Sequence, residues 1–215
     1  MPKHSIAGLG VRVSSGYCLS IARALFLGGF IMDFKVELVP LKEDDREQFI
    51  LDNQWAFKFG AMMEFGERDN SIDADGEIIS RKTIERSIDA PENEAYRIIK
   101  DGEIVGGAIL KINKETRRNE LELFFVLPKE HSKGIGYAAW RAIEALHPET
   151  LVWETCTPYF EKRNIHFYVN KCGFKIDQFW CEHFAPEYEN PDSEESGEDD
   201  GPDEMFHFVK VMKDN

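Results

Sequence analysis

Glu120 and Glu122 stand two residues apart in an otherwise apolar run that contains Leu121, Leu123, Phe124, Phe125 and Val126. A period of two puts both carboxylates on one side of a strand. A carboxylate in such a strand is costly unless it is paired or used, and a positioned carboxylate is one means of taking a proton from a nucleophile. Pro128 ends the run, and Gly134 and Gly136 then open a helical pattern in which Ile135, Ala138, Ala139, Ile143 and Leu146 recur at three- and four-residue steps. His147-Pro148 stops that helix. The first N–H groups of a helix have no internal partner, the helix dipole adds about half a positive charge there, and glycine lets the backbone approach closely. The loop therefore suits a phosphorylated ligand.

Two families fit the glycines. Gly134 to Ala139 satisfies G-x-G-x-x-A, with Glu154 twenty residues beyond Gly134, the pattern of a dinucleotide site. Seven residues, Leu127 to Lys133, separate Val126 from Gly134, whereas the dinucleotide turn is tight, and no repeated βαβ units follow. The segment Val126-Leu127-Pro128, followed by His131-Ser132-Lys133-Gly134-Ile135-Gly136, resembles the signature of the GNAT superfamily of acyl-CoA-dependent N-acetyltransferases. That signature is V-x-P, then Gln or Arg, two residues, and G-x-G or G-x-A opening a helix. His131 stands where Gln or Arg is usual, and Ser132 where Gly is common. A second piece of the resemblance is Asn164, the aromatic pair Phe167-Tyr168, and Gly173-Phe174 leading into a strand. The tyrosine that often serves as general acid in the family lies four residues before the Gly; here Val169 holds that place and Tyr168 is one residue earlier.

The resemblance implies an α+β GNAT fold. This is a central, mixed, mostly antiparallel twisted sheet of about seven strands, with helices on both faces and a V-shaped splay between strands four and five. Acetyl-CoA would be co-substrate, its pantetheine arm in the splay, with no metal. The residues placed against it are Phe125, Val126, His131, Ser132, Lys133, Gly134, Ile135, Gly136, Tyr137, Asn164 and Tyr168. His131 would offer a hydrogen-bond donor to phosphate. An amine attacks only when neutral, so Glu122, or failing it Glu120, would be the base; the family's register counts back from His131 to Glu120. A backbone N–H near Val126 would hold the oxyanion, and Tyr168 would reprotonate the thiolate. The alternatives are a non-catalytic acyl-CoA-binding module and a dinucleotide-dependent oxidoreductase.

Composition narrows the partners. The chain has 215 residues, 42% of them hydrophobic, and a net charge of −14. That charge argues against nucleic acid and anionic membranes, which need clustered Lys and Arg. Cys18, Cys156, Cys172 and Cys181 show no C-x-x-C spacing, which points to reduced thiols in the cytoplasm. The sequence holds no run of eighteen apolar residues, so no membrane span is expected. The amine acceptor stays open, as does the choice between monomer and homodimer.

Around this centre the rest of the chain reads in order. Residues 1–31 lack Asp and Glu; a targeting peptide is one reading, and a native start at Met32 the preferred one, with Gly28-Gly29 codons matching a ribosome-binding site. The domain then spans 32–215. Phe34 to Leu41 alternates as a first strand, residues 43–63 form a helix, and Ser80 caps a second helix that ends near Pro91. Trp55, Phe57, Phe59 and Phe65 either line an acceptor pocket or simply fill the core. Tyr96–Lys100 and Glu103–Ile112 flank Asp101-Gly102, a hairpin turn signal. Thr150 to Thr155 is a fifth strand, parallel to the fourth. Residues 187–204 carry ten acids and no Lys or Arg, an acidic loop inside a terminal hairpin closed by the strand Met205–Met212. That loop is either a solvated insertion or a lure for a cationic acceptor.

Overall fold

The strands are β1 (Glu37–Pro40), β2 (Asn93–Lys100), β3 (Glu103–Lys111), β4 (Arg118–Val126), β5 (Val152–Pro158), β6 (Lys175–Trp180) and β7 (Met205–Val211), of which β4 and β5 bury every second residue while β3 is buried along its whole middle. A computed structural model of the chain describes residues 35–65, 77–131, 133–181 and 204–213. The expectations for residues 1–31, for Ser132, for the side chain of Phe65 and for the acidic stretch up to Asp203 lie outside the described residues. The strands join in one seven-stranded sheet of order β1-β2-β3-β4-β5-β7-β6. All its pairs are antiparallel except β4–β5. This is the mixed, mostly antiparallel sheet that the sequence led us to expect.

Helices cover both faces. A 3-10 turn at Glu43–Asp45 leads into α1 (Arg46–Phe65), and α2 follows at Arg81–Asp89. Ser80 caps α2 by accepting from the Thr83 N–H. Phe49, Ile50 and Ala56 of α1 and Ile84 of α2 pack on Ile109, Leu123 and Phe125. On the opposite face lies α3 (Ile135–Leu146), whose Trp140 and Ile143 bury against Leu110, Leu121, Trp153 and Phe208. Between β5 and β6, α4 (Lys162–His166) runs directly into a π turn at Phe167–Cys172.

Boundaries moved in three places. The first strand shrinks to Glu37–Pro40, and β2 begins at Asn93 rather than Tyr96 because Asn93 pairs with Lys111 at the far end of the hairpin. The fifth strand is Val152–Pro158, not Thr150–Thr155. Thr150 is instead held in the preceding turn, its N–H on the His147 carbonyl and its buried Oγ1 accepting from Asn119 Nδ2 at 2.7 Å.

Two departures from regularity in β4 shape the site. It pairs with β5 only from Arg118 to Glu120, opposite Val152 to Glu154. Beyond that point β4 runs on to Val126 and β5 to Pro158 without pairing each other, which is the expected splay. On the β3 side, Leu110 faces Leu121 while Ile109 faces Leu123, so Glu122 is the extra residue of a β-bulge. Leu121 packs toward α3, whereas Leu123 packs toward α1 and α2.

Candidate active site

The bulge turns Glu122 toward α2, where its carboxylate is fully engaged. Ser87 Oγ donates to one oxygen at 2.5 Å and Asn93 Nδ2 to the other at 2.6 Å. Asn93 Nδ2 also reaches the Ser87 carbonyl at 2.8 Å, so the three side chains tie α2, β2 and β4 together. Glu120 differs. It is half-buried at the vertex of the splay and makes no side-chain hydrogen bond or ion pair among the described residues. Burial lifts its pKa above the usual carboxylate range, and the charges of Glu122 and Glu154 push the same way against Lys111 and His207. Of the two carboxylates expected as base, Glu122 has both oxygens engaged and Glu120 has free lone pairs among the described residues. Cys156, nearby on β5, is a neutral thiol, because burial and then Glu120, Glu154 and Asp177 raise its pKa.

The end of β4 forms the upper wall. The Leu127 N–H donates to the Val105 carbonyl at 2.9 Å, so Leu127 faces β3. Successive strand residues alternate, hence the N–H and C=O of Val126 face the splay. His131 Nε2 lies 2.8 Å from the Val126 carbonyl, which only accepts, so Nε2 carries the proton. The ring also stands edge-on to Phe59 of α1, with centroids 5.6 Å apart. Burial holds its pKa below the usual histidine value, with Arg163 adding to the effect and the Val126 bond opposing it. The donor expected for a phosphate is thus committed to the strand. Phe125, expected against acetyl-CoA, has its buried ring against Phe49 at 5.3 Å, on the α1 side of the sheet.

The glycine loop follows. Gly134 is the N-cap of α3 with φ 77°, a left-handed conformation in which a Cβ is strained. A Cβ on Gly136 would sit 3.3 Å from the Phe167 ring, so a larger residue would have to push that ring by a few tenths of an ångström. The Ile135 side chain is buried in the core, leaving its backbone N–H as the group it can present. Tyr137 is exposed beside it, and Lys133 Nζ bonds Glu130 at 3.3 Å.

Tyr168 lies in the core under the splay, its ring against Phe174 and Phe208. Its hydroxyl bonds Thr155, whose Oγ1 donates its single proton to the Leu121 carbonyl at 2.9 Å. Burial pushes the phenol pKa far up. The one-residue offset seen in the sequence has a physical origin. The π turn holds an extra residue, and the Gly173 N–H reaches back five residues to the Tyr168 carbonyl. Asn164 Nδ2 contacts Thr157 Oγ1 of β5 at 3.3 Å. Ser87, Asn93 and Thr155 were not singled out from the sequence. The one signal for the first two was that Glu122, inside a strand, demanded partners.

Comparison with known proteins agrees with this geometry. Residues 55–174 match the sequence model of the acetyltransferase (GNAT) family. The chain is 47% identical over 184 residues to the protein YrkN of Bacillus subtilis, covering 83% of this chain and 95% of that one. Among solved structures it resembles the ribosomal-protein-S18-alanine N-acetyltransferase of Escherichia coli, with a TM-score of 0.57 at 12% identity over 84% of this chain and 96% of that one. It also resembles a spermidine N-acetyltransferase of Vibrio cholerae in complex with CoA and spermine, with a TM-score of 0.54 at 13% identity over 82% and 95% of the two chains. The dinucleotide reading falls, since the glycine helix follows a strand with one parallel neighbour in an otherwise antiparallel sheet.

Proposed function

Because the chain belongs to the acetyltransferase (GNAT) family, we propose that it moves the acetyl group of acetyl-CoA to a primary amine by direct attack at the vertex of the β4–β5 splay. The observation that carries this reading is an uncommitted, half-buried carboxylate, Glu120, beside an unpaired strand edge that leads to a glycine-opened helix. The α3 N-terminus, with the backbone of Gly134 to Tyr137, takes the pyrophosphate. The pantetheine arm runs along Phe124 to Val126.

An alkyl ammonium has a pKa of roughly 10, so a proton must leave before the nitrogen attacks. Glu120 removes it, directly or through one water, and its raised pKa makes it a better base than an ordinary carboxylate. The new N–C bond forms as the oxyanion is held by the Val126 N–H, and the C–S bond then breaks. The departing thiolate takes a proton from Tyr168, and the phenol regains one from water. Glu122, held by Ser87 and Asn93, shapes the acceptor side rather than acting as base. The carboxylates near the vertex, Glu120, Glu122 and Glu154, favour an acceptor that arrives as a cation. We place the reaction in the cytoplasm.

The test is thermal stabilisation by acetyl-CoA, followed by thiol release with a panel of amines. A ligand at 100 times its dissociation constant adds about 2.7 kcal/mol. Stabilisation with amine-dependent thiol release is the expected result. Stabilisation without release by any amine would instead favour a non-catalytic acyl-CoA-binding module.

A further inference from the structure

Acetyl transfer leaves a proton on Glu120, and the carboxyl must lose it before it serves again. Across the sheet from Glu120 runs a row of groups that bind protons. Glu120 pairs with Glu154 in the parallel register of β4 and β5, so the two side chains share a face. Trp153 and Phe208 point into the core on the α3 side, and alternation therefore turns Glu154, Cys156 and His207 to the face of Glu120. Cys156 pairs with His207 in the register of β5 and β7, which sets His207 diagonal to Glu154. The His207 Nε2 stands 3.9 Å from Glu154 Oε1, the oxygen that also accepts from Arg118. Its Nδ1 lies 2.6 Å from Asp177 Oδ1. Asp177 is the extra residue of a second β-bulge, since Ile176 faces Phe208 while Gln178 faces His207. Trp180 stacks on the imidazole, with centroids 4.9 Å apart. The row thus crosses four strands, from Glu120 at the vertex to Asp177, whose side chain is 35% exposed.

We propose that Glu154, His207 and Asp177 form the proton exit of the reaction. The Asp177 carboxylate only accepts, so Nδ1 of the neutral imidazole carries the proton and the lone pair of Nε2 is turned to Glu154. The Glu120 carboxyl passes its proton to the Glu154 carboxylate. Glu154 passes it to His207 Nε2, and Nε2 releases it to water, so each group ends as it began. Asp177 keeps Nδ1–H throughout and balances the imidazolium while it exists. A pair that only fastened β6 to β7 would need no lone pair turned to Glu154. At about 4.8 Å per strand, β7 lies roughly 10 Å from β4, so His207 acts through Glu154 and Glu120 rather than on the amine. It is a positioning residue for the proton, and Glu120 remains the base at the reacting nitrogen. The inference rests on the acetyl-transfer reading and adds the path by which its base is reset.

The experiment measures thiol release by the full chain and by His207→Ala, with ethanolamine, n-propylamine and glycinamide as acceptors. His207→Ala should lower kcat by about 10²-fold, the lower end for a proton-transfer group, while KM for acetyl-CoA and for the amine stays level. Free imidazole should restore kcat saturably. Pyrazole, which has the same shape but no nitrogen that is basic near neutral pH, should not. Equal restoration by the two, or by neither, would show that the ring fills space or holds β6, and an unchanged kcat would show that Glu120 discharges without it; each overturns the inference. If acetyl-CoA no longer stabilises His207→Ala, the test passes to Asp177→Asn. Its amide oxygen still accepts from Nδ1 but no longer balances the imidazolium, so kcat should fall at constant KM, and full activity overturns the inference. Glu120→Gln separates this inference from the reading beneath it. Its lost activity should not return with imidazole, and an unchanged kcat in that variant refutes Glu120 as base and the exit with it. If the unsubstituted protein acetylates none of the three amines while acetyl-CoA stabilises it, the acetyl-transfer reading fails and this inference with it.

Discussion

Glu120 and Glu122 have the same chemistry and nearly the same place, but only Glu122 has its oxygens occupied. Their spacing was legible in the sequence. Which of them is occupied was not, because the partners of Glu122 lie 35 and 29 residues upstream, in a helix and at the start of another strand, with no local sign that they point at β4. The distinction is testable. Glu120→Gln should lower kcat by about 10²–10⁴-fold, the usual worth of a positioned base. In the unsubstituted protein the rate should rise with pH along a limb displaced above the ordinary glutamate value of about 4.3, because the folded pKa is raised. The charges facing Glu120 are those of Glu122, Glu154, Lys111 and His207, so substitution of any of them should move the limb. Stability carries the same sign. A folded pKa above the unfolded one means the charged form opposes folding, and stability is lost as pH rises through the folded pKa. Glu120→Gln should therefore raise the melting temperature at pH 8, with the gain vanishing as the pH falls below the unfolded pKa; a lower melting temperature at pH 8 would refute the assignment. Glu122→Gln behaves in the opposite way. It turns an NH2 toward a donor, should cost about 1–3 kcal/mol in urea unfolding, and should move the Glu120 limb to lower pH, because a neighbouring negative charge is lost.

Local order made the strand–loop–helix around Gly134 readable, because its signals fall within a few residues of one another. The bulge at Glu122 was hidden, since an acid two residues from another acid looks like ordinary alternation. The π turn was visible only as a tyrosine one place out of register, and the hydrogen bond from Gly173 to Tyr168 supplies the reason. These irregularities do the positioning. The bulge turns Glu122 out of the cleft wall toward α2, and the π turn seats Tyr168 under Thr155. The glycines make the loop testable as an element. Nothing lies within 4 Å of a Cβ on Gly134, so Gly134→Ala carries only the penalty of its left-handed backbone, about 1–2 kcal/mol. Gly136→Ala must instead push Phe167, which stacks on Phe124 at 5.9 Å, and so disturbs the strand edge that receives pantetheine. Urea unfolding should show the modest loss for Gly134→Ala. Calorimetry should show the larger loss of acetyl-CoA affinity for Gly136→Ala, and equal affinities in the two variants would contradict this division of labour.

At the scale of the whole molecule, the fold follows from patterns that repeat along the chain, and the acceptor does not, because no local motif in α1, α2 or β2 marks a ligand. Charge is the property that acts at this scale. The net charge is −14, and Glu187 to Glu204 supplies ten negative charges between β6 and β7. Such a field raises the local concentration of a cation and speeds its encounter with the protein, and added salt screens it, the Debye length falling from about 30 Å at 0.01 M to about 10 Å at 0.1 M. With a small cationic amine such as ethanolamine as acceptor, kcat/KM should therefore fall by about 10-fold across that range, while kcat stays level. Replacing residues 187–203 by a Gly-Ser linker of equal length removes nine of the ten charges and leaves the described sheet intact. If those acids steer the acceptor, the linker variant should show a much flatter salt dependence and a slower reaction at low salt. A salt dependence as steep as before would place the attraction in Glu120, Glu122 and Glu154 at the vertex, where short-range contact rather than long-range steering would hold the ammonium.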